Sequence, residues 1–373
     1  MRVTLQHIAD RLNVHVTAVS VVLNERSSKT SVSKELREKI LRTASEMNYI
    51  PNAAARQLRG KSLKVIGIVT PNWRHHTGTD LRRFISEILY EHGYQALLGI
   101  VMDDLSNLDA VIRDMISRNV NGIIVPCAWE CIDPARYPIP LLVVADKRDA
   151  AEKSQFMIDR VAGMRLATEH LLEHGHKKIG YIDQRDWPEK FAGYTEALQN
   201  AGITPPDCWH IQCFRNPSFR EEVEFLLKKE KVTAFVCTND FYAARFIRYL
   251  QLHGYSVPGD VAVIGYDGSS LCDCITPSLT TVVTPNLLFA KKLVSRMIRM
   301  VEHPSPKDKN PELELLTPYL SFGRSCGCKP KEADLVCWNA QGLSRELYLL
   351  TEREIPEKFY TFDKSKNKES FKN

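Results

Sequence analysis

The sequence predicts a small all-helical head followed by a larger α/β body with parallel sheets, and three observations carry that expectation. Residues 1–64 contain 12 Lys+Arg against 5 Asp+Glu, whereas the remainder contains 38 against 40, so the positive excess of a chain of net charge +5 sits in its first sixth. The same stretch repeats apolar residues at helical spacing. Beyond it, short apolar runs alternate with amphipathic segments, the pattern of repeated βα units. A length of 373 residues leaves room for two or three domains, each with its own core.

Thr4 caps a first helix whose apolar residues Leu5, Ile8, Ala9 and Leu12 keep the i, i+3, i+4, i+7 rhythm. After the turn at Asn13 and Val14 comes NVHVTAVSVVLN, residues 13–24, which holds five valines and by composition favours a strand. Period decides otherwise. Val19, Val22 and Leu23 fall on one helical face and leave Thr17, Ser20, Val21 and Asn24 on the opposite one. A third helix starts at the cap Ser33 and is expected to bury Leu36, Ile40, Leu41, Ala44 and Met47. Two short helices joined by a tight turn, the second with a small, uncharged outer face, form a helix-turn-helix that lays its second helix in a major groove. The basic charge of this head supplies the phosphate attraction that such binding needs.

Next comes NYIPNAAARQLRGKS, residues 48–62, where Pro51 stops what precedes, Asn52 is a good cap, and Ala53 to Leu58 favour helix. About seven residues do not hold a helix alone in water, so the segment needs a partner. Arg56 and Arg59 suit phosphates, and Leu58 offers an apolar tip.

TLQHIADRLNVHVTAVSVVLN followed by YIPNAAARQLR resembles the head and hinge of the lactose-repressor family of bacterial transcription regulators, and the similarity runs to about residue 328. The resemblance implies base-facing roles for Val16, Thr17, Ser20, Val21 and Asn24, and backbone or groove roles for Thr4, His15, Tyr49, Asn52, Ala55, Arg56 and Arg59. It also implies paired hinge helices of a homodimer in the minor groove, with Leu58 as a wedge at the centre of a near-palindromic double-stranded operator. Two departures stand out. Asn13-Val14-His15 replaces the family's usual Gly-Val-Ser, so the serine cap is lost, and Val21 replaces a common arginine, which suits a thymine methyl rather than guanine.

In the body, VIGIVT, QALLGIV, NGIIVP, PLLVVA, KIGYID, TAFVCT and VAVIGY read as strands, separated by helices such as LRRFISEILYEHG and DFYAARFIRYLQLHG. Some ten strands over about 265 residues favour two lobes over one. The resemblance implies a core like that of the periplasmic sugar-binding proteins, with an effector cleft between the lobes. Ligands of open α/β sheets sit beyond the carboxyl ends of strands. The residues found there are Asn72, Trp73 and His75, then Asp146, then Asn239 and Asp240, then Asp267. Asp240 reads equally well as a helix cap. A family arginine that grips the effector appears as Lys190 in KFAGY, which loses the bidentate fork and favours a neutral sugar over an acid.

The expected division is a head at 1–50, a hinge at 51–61, a core at 62–328 and an extension at 329–373 whose last residues are polar enough to stay disordered. His170, His174 and His176 follow the family's helix-to-strand connection, and Cys272-x-Cys274 and Cys326-x-Cys328 are too closely spaced for a usual zinc knuckle. Both sets are therefore read as structural, and no metal or cofactor is expected. The ten cysteines, several inside apolar runs, suggest a reducing, cytoplasmic setting, and no apolar run is long enough to span a membrane. A sugar-transport receptor would need an export signal and no basic head. An enzyme would need a nucleophile or phosphate-loop motif, and neither appears. The reading is a repressor whose DNA affinity answers to a small polar effector.

Overall fold

In the computed structural model, which describes residues 3–23, 32–50, 64–71, 79–101, 107–128, 132–145, 156–183, 187–212, 217–305 and 313–328, three helices build the head: α1 (Leu5–Leu12), α2 (Val16–Leu23) and α3 (Lys34–Glu46). Thr4 Oγ1 accepts the His7 N–H at 3.3 Å while His7 Nδ1 accepts the Thr4 N–H, a capping box with imidazole in place of the usual carboxylate. Asn13 ends α1 in the left-handed conformation, φ 51° and ψ 49°. The missing serine cap of α2 is made good by His15, whose Nδ1 accepts the Thr17 N–H at 3.3 Å. Ser33 Oγ caps α3 through the Leu36 N–H. Ile8, Ala9, Val19, Val22, Ile40 and Ala44 form the core, with Leu36 and Met47 partly buried against it. Leu41 is a correction: at 48% exposure it stays outside, because it stands 100° around α3 from Ile40, away from the face that carries Leu36, Thr43, Ala44 and Met47.

Contacts divide the chain at Lys64/Val65, three residues beyond the expected end of the hinge. The second unit contains two six-stranded sheets. The first runs β11 (Glu314–Leu316), β5 (Phe156–Ile158), β4 (Leu141–Ala145), β3 (Gly122–Ala128), β1 (Val65–Pro71) and β2 (Gln95–Val101), every pair parallel. Helices α4 (Thr79–Glu91) and α5 (Leu108–Ser117) belong to this lobe. Phe84, Ile85 and Leu89 of α4 share one apolar layer with Ile66 and Ile124, while Ile112 and Met115 of α5 fill another with Ile123 and Val143.

The second sheet runs β12 (Tyr319–Ser321), β10 (Thr280–Val283), β9 (Ala262–Asp267), β8 (Ala234–Cys237), β6 (Ile179–Asp183) and β7 (His210–Gln212). Only the β10/β12 pair is antiparallel. Helices α6 (Arg160–Glu173) and α7 (Pro188–Asn200) contribute Met164, Leu171, Tyr194 and Leu198 to one apolar layer. Helices α8 (Phe219–Phe225) and α9 (Asp240–Leu252) contribute Phe219, Val223 and Phe246 to the other, next to the short α10 (Leu271–Cys274). The central strands β6, β8 and β9 are buried on both faces, which explains why their runs read as continuous apolar segments rather than alternating ones.

The chain passes between the sheets three times, at Asp159, at Thr284-Pro285 and at Thr317-Pro318. The second passage starts α11 (Asn286–Glu302), whose Phe289, Leu293 and Met297 pack with α4 on the first lobe. The passage at Asp159 leads from β5 into α6, which packs against β10 and β12, and the other two lead from β10 into α11 and from β11 into β12; β5 with β11, and β10 with β12, are neighbours at one edge of their sheets. Gathered on one edge, they form a single hinge.

Candidate functional site

On α2 the structure leaves Thr17 exposed and Val16 and Ser20 partly exposed, next to exposed His15. Because His15 Nδ1 accepts the Thr17 N–H, the ring proton sits on Nε2, where it is a donor. Thr4 is exposed but engaged in its cap, and Tyr49 packs partly against the head core. Val21 departs from expectation. It is only 5% exposed although it lies on the wheel opposite the head core and outside that cluster. Asn24, Asn52, Ala55, Arg56, Leu58 and Arg59 lie outside the described residues.

Of the effector candidates, Asn72, Trp73, His75 and Asp146 also lie outside the described residues. The other four belong to the second lobe, and two of them meet. Lys190, 4% exposed on α7, donates to the Thr238 carbonyl at 2.6 Å and reaches Asp267 Oδ1 at 3.9 Å. Its ammonium also lies 3.7 Å from the centre of the Tyr266 ring, a cation–π contact. Gly193 makes this placement possible: a Cβ there would strike the Val161 carbonyl of α6, so only glycine lets α7 come this close. Asp267 ends β9 with φ +116°, a conformation that L side chains rarely adopt, and its carbonyl accepts the Thr284 N–H in the second passage between lobes.

Asn239 and Asp240 need correction. Asn239, not Asp240, is the cap of α9, its Oδ1 accepting the Tyr242 N–H at 2.8 Å. Asp240 is 1% exposed and accepts from the Ser269 N–H and the Thr281 hydroxyl, which ties α9 to the loop after β9 and to β10. With both oxygens engaged in the interior it is a brace rather than a ligand-facing group. Burial pushes its carboxyl up to about 6, and the bonds from Ser269 and Thr281 act against that rise.

Three partners were not singled out from the sequence. Asp183, the last residue of β6, accepts from the Thr238 hydroxyl at 3.1 Å and from the Trp187 N–H. Trp187 stands between two cations, Lys190 Nζ at 5.2 Å and Arg160 Cζ at 5.3 Å from the ring centre. The signal was present in part, because Asp183 and Thr238 end the runs KIGYID and TAFVCT. The result is a polar cluster from the ends of three adjacent parallel strands and the starts of two helices, with a tryptophan ring among its members. Elsewhere in this lobe, His170 and His174 lie against Cys326 and Cys328.

Residues 4–52 match the model of bacterial regulatory proteins of the lacI family, and residues 168–326 match that of the periplasmic binding protein-like domain. The chain is 27% identical over 320 residues to the HTH-type transcriptional repressor PurR of Photobacterium profundum, covering 83% of this chain and 93% of that one. It is 29% identical over 308 residues to the NTD biosynthesis operon regulator NtdR of Bacillus subtilis, covering 80% and 92%. Among solved structures, the Lac repressor dimer bound to operator and the anti-inducer ONPF aligns at a TM-score of 0.74 and 23% identity over 87% of this chain and 99% of that one. A complex of the transcriptional regulator CelR with cellobiose aligns at 0.61 and 22%, covering 87% and 100%. No helix among the described residues is long and apolar enough to cross a membrane.

Proposed function

This chain belongs to the lacI family of bacterial regulatory proteins, and from that membership we propose that it represses transcription from a near-palindromic operator until a neutral sugar or sugar derivative binds its core. It is a DNA-binding transcription regulator with an effector-binding core, and not an enzyme. Its place is beside the DNA, in the cytoplasm.

The observation that carries the sugar assignment is the state of Lys190. Its ammonium is already held by the Thr238 carbonyl, the Asp267 carboxylate and the Tyr266 ring, so no uncommitted cation from this group greets an acidic ligand. Asp267 offers a carboxylate to hydroxyls, Asn239 keeps an amide donor, and the Trp187 ring, held by its backbone N–H bond to Asp183, suits the apolar face of a pyranose. Asp267 also links ligand to hinge, because its carbonyl holds Thr284 in the passage to the other lobe. A sugar that pulls on Asp267 biases the angle between lobes, and operator binding must shift sugar affinity by the same factor.

We assign residues 51–61 to a hinge that orders only when two copies meet in a minor groove, with Leu58 as the wedge, and residues 1–50 to the reading head of a homodimer. A thermal-shift panel of neutral sugars, cellobiose among them, against sugar acids and phosphates tests the effector, because a ligand of the folded state raises the melting temperature. A neutral sugar is expected to raise it and to lose its effect in K190M and D267N. Stabilisation by acids alone overturns the assignment. Leu58→Ala is expected to weaken specific operator binding while sparing non-specific, salt-dependent binding.

A further inference from the structure

His170 Nε2, Cys326 Sγ and Cys328 Sγ all lie within 4.8 Å of one another in the second lobe, the first two buried and the third partly so. His170 Nε2 is 3.3 Å from Cys326 Sγ and 3.4 Å from Cys328 Sγ, and His174 Nε2 is 3.3 Å from Cys328 Sγ. Around a tetrahedral zinc with Zn–S of about 2.3 Å and Zn–N of about 2.0 Å, a sulfur and a nitrogen stand about 3.5 Å apart. We propose that His170, Cys326 and Cys328, completed by His174, bind a zinc ion that clips the end of the core to α6.

The surroundings of these four groups favour ligation. His174 Nδ1 donates to the His170 carbonyl at 2.8 Å, which leaves the Nε2 lone pair facing Cys328, the tautomer that a metal requires. Thr280 Oγ1 accepts the Gly323 N–H at 3.0 Å and lies 3.0 Å from Cys326 Sγ, within reach to donate its own proton to a thiolate there. The segment bearing the cysteines is pinned on both sides of its chain: Ser325 donates to the Val263 carbonyl and accepts the Thr280 N–H. The His170 ring packs 5.2 Å from that of Phe322. His176, the third histidine of the run, bonds the Thr233 hydroxyl through its Nδ1. Two soft sulfurs with two imidazoles select zinc over magnesium or calcium. The short C-x-C spacing, unsuited to a zinc knuckle on its own, is no obstacle when both histidines come from a helix more than 150 residues earlier in the chain.

The test uses the full-length chain, stripped with chelator under reductant and titrated with Co²⁺. Expected are one equivalent bound, thiolate-to-cobalt charge-transfer absorption in the near ultraviolet, tetrahedral bands in the visible, and bleaching of both by Zn²⁺. Competition with a chromophoric chelator is expected to place zinc affinity in the nanomolar range or tighter. Cys326→Ser and Cys328→Ser are each expected to cut the charge-transfer band by about half or more and the double variant to abolish it, and His174→Ala to weaken binding by at least about 10-fold. Cys208→Ser and Cys274→Ser, both exposed and elsewhere, keep the spectrum. If Cys326→Ser does not fold, Cys328→Ser and His174→Ala carry the test. Zinc affinity weaker than about micromolar, a spectrum without sulfur charge transfer, or bands undiminished in Cys328→Ser would overturn the site.

Discussion

Replacing Asp240 with asparagine separates a brace from a ligand contact. The Asp240 carboxyl is buried, bonded to the Ser269 N–H and the Thr281 hydroxyl, and shifted from an ordinary 3.8 to about 6. A folded state that holds the proton more tightly than the unfolded chain gains stability that is fully present below pH 3.8 and is lost as pH rises through about 6. At about 1.4 kcal/mol per tenfold change in proton affinity, the whole effect is about 3 kcal/mol, of which about 2 kcal/mol falls between roughly pH 4.5 and pH 7.5. Asparagine does not titrate, and its amide nitrogen meets a donor where the carboxylate met one as an acceptor, a cost of about 1–3 kcal/mol at every pH. The advantage of the parent chain over D240N in urea unfolding, followed by circular dichroism, is therefore expected to shrink by about 2 kcal/mol from the lower pH to the higher. A difference that is flat or grows with pH refutes the reasoning. Sugar affinity unchanged in D240N above pH 7 agrees with a brace, and a loss of 100-fold or more would return Asp240 to the ligand.

Other outcomes follow from particular contacts. His15→Ala removes the cap of α2 and is expected to cost about 1 kcal/mol, seen as faster hydrogen exchange at the start of α2. Gly193→Ala puts a methyl against the Val161 carbonyl, so a loss of at least about 1–3 kcal/mol and of the sugar response is expected; a normal response would show that α7 tolerates the shift. Thr17→Ala is expected to relax base preference at one position per half-site by about 1–3 kcal/mol in a randomised-operator selection. Operator affinity is expected to fall with salt at a log-log slope of several units, and a flat slope would contradict a head and hinge that carry 12 basic residues within the first 64 of the chain.

The helices of the head and the strands of the body were legible because burial imposes a period or an apolar run on the sequence. Side chains whose roles depend on distant neighbours were less so. Asp240 looked like a ligand because it follows a strand, yet Ser269 and Thr281, far along the chain, draw it inward. Lys190 and Asp267 were both named, but their meeting depends on the approach of α7 to α6 at Gly193. His170 and Cys326, 156 residues apart, come together only because β12 turns back antiparallel to β10 and leaves the segment after it beside α6.

The three passages between lobes also set an order of synthesis. A head complete by residue 64 has emerged whole from the ribosome while most of the body is still unmade. The first lobe must wait for α11 and for β11 at residues 314–316, and its sheet lacks an edge strand until nearly the whole core has been translated. Neither lobe is a contiguous stretch of chain, so a nascent chain halted anywhere short of residue 316 carries a finished reading head on a body that cannot close around an effector. Premature termination therefore yields fragments with the head but without a core that can answer an effector.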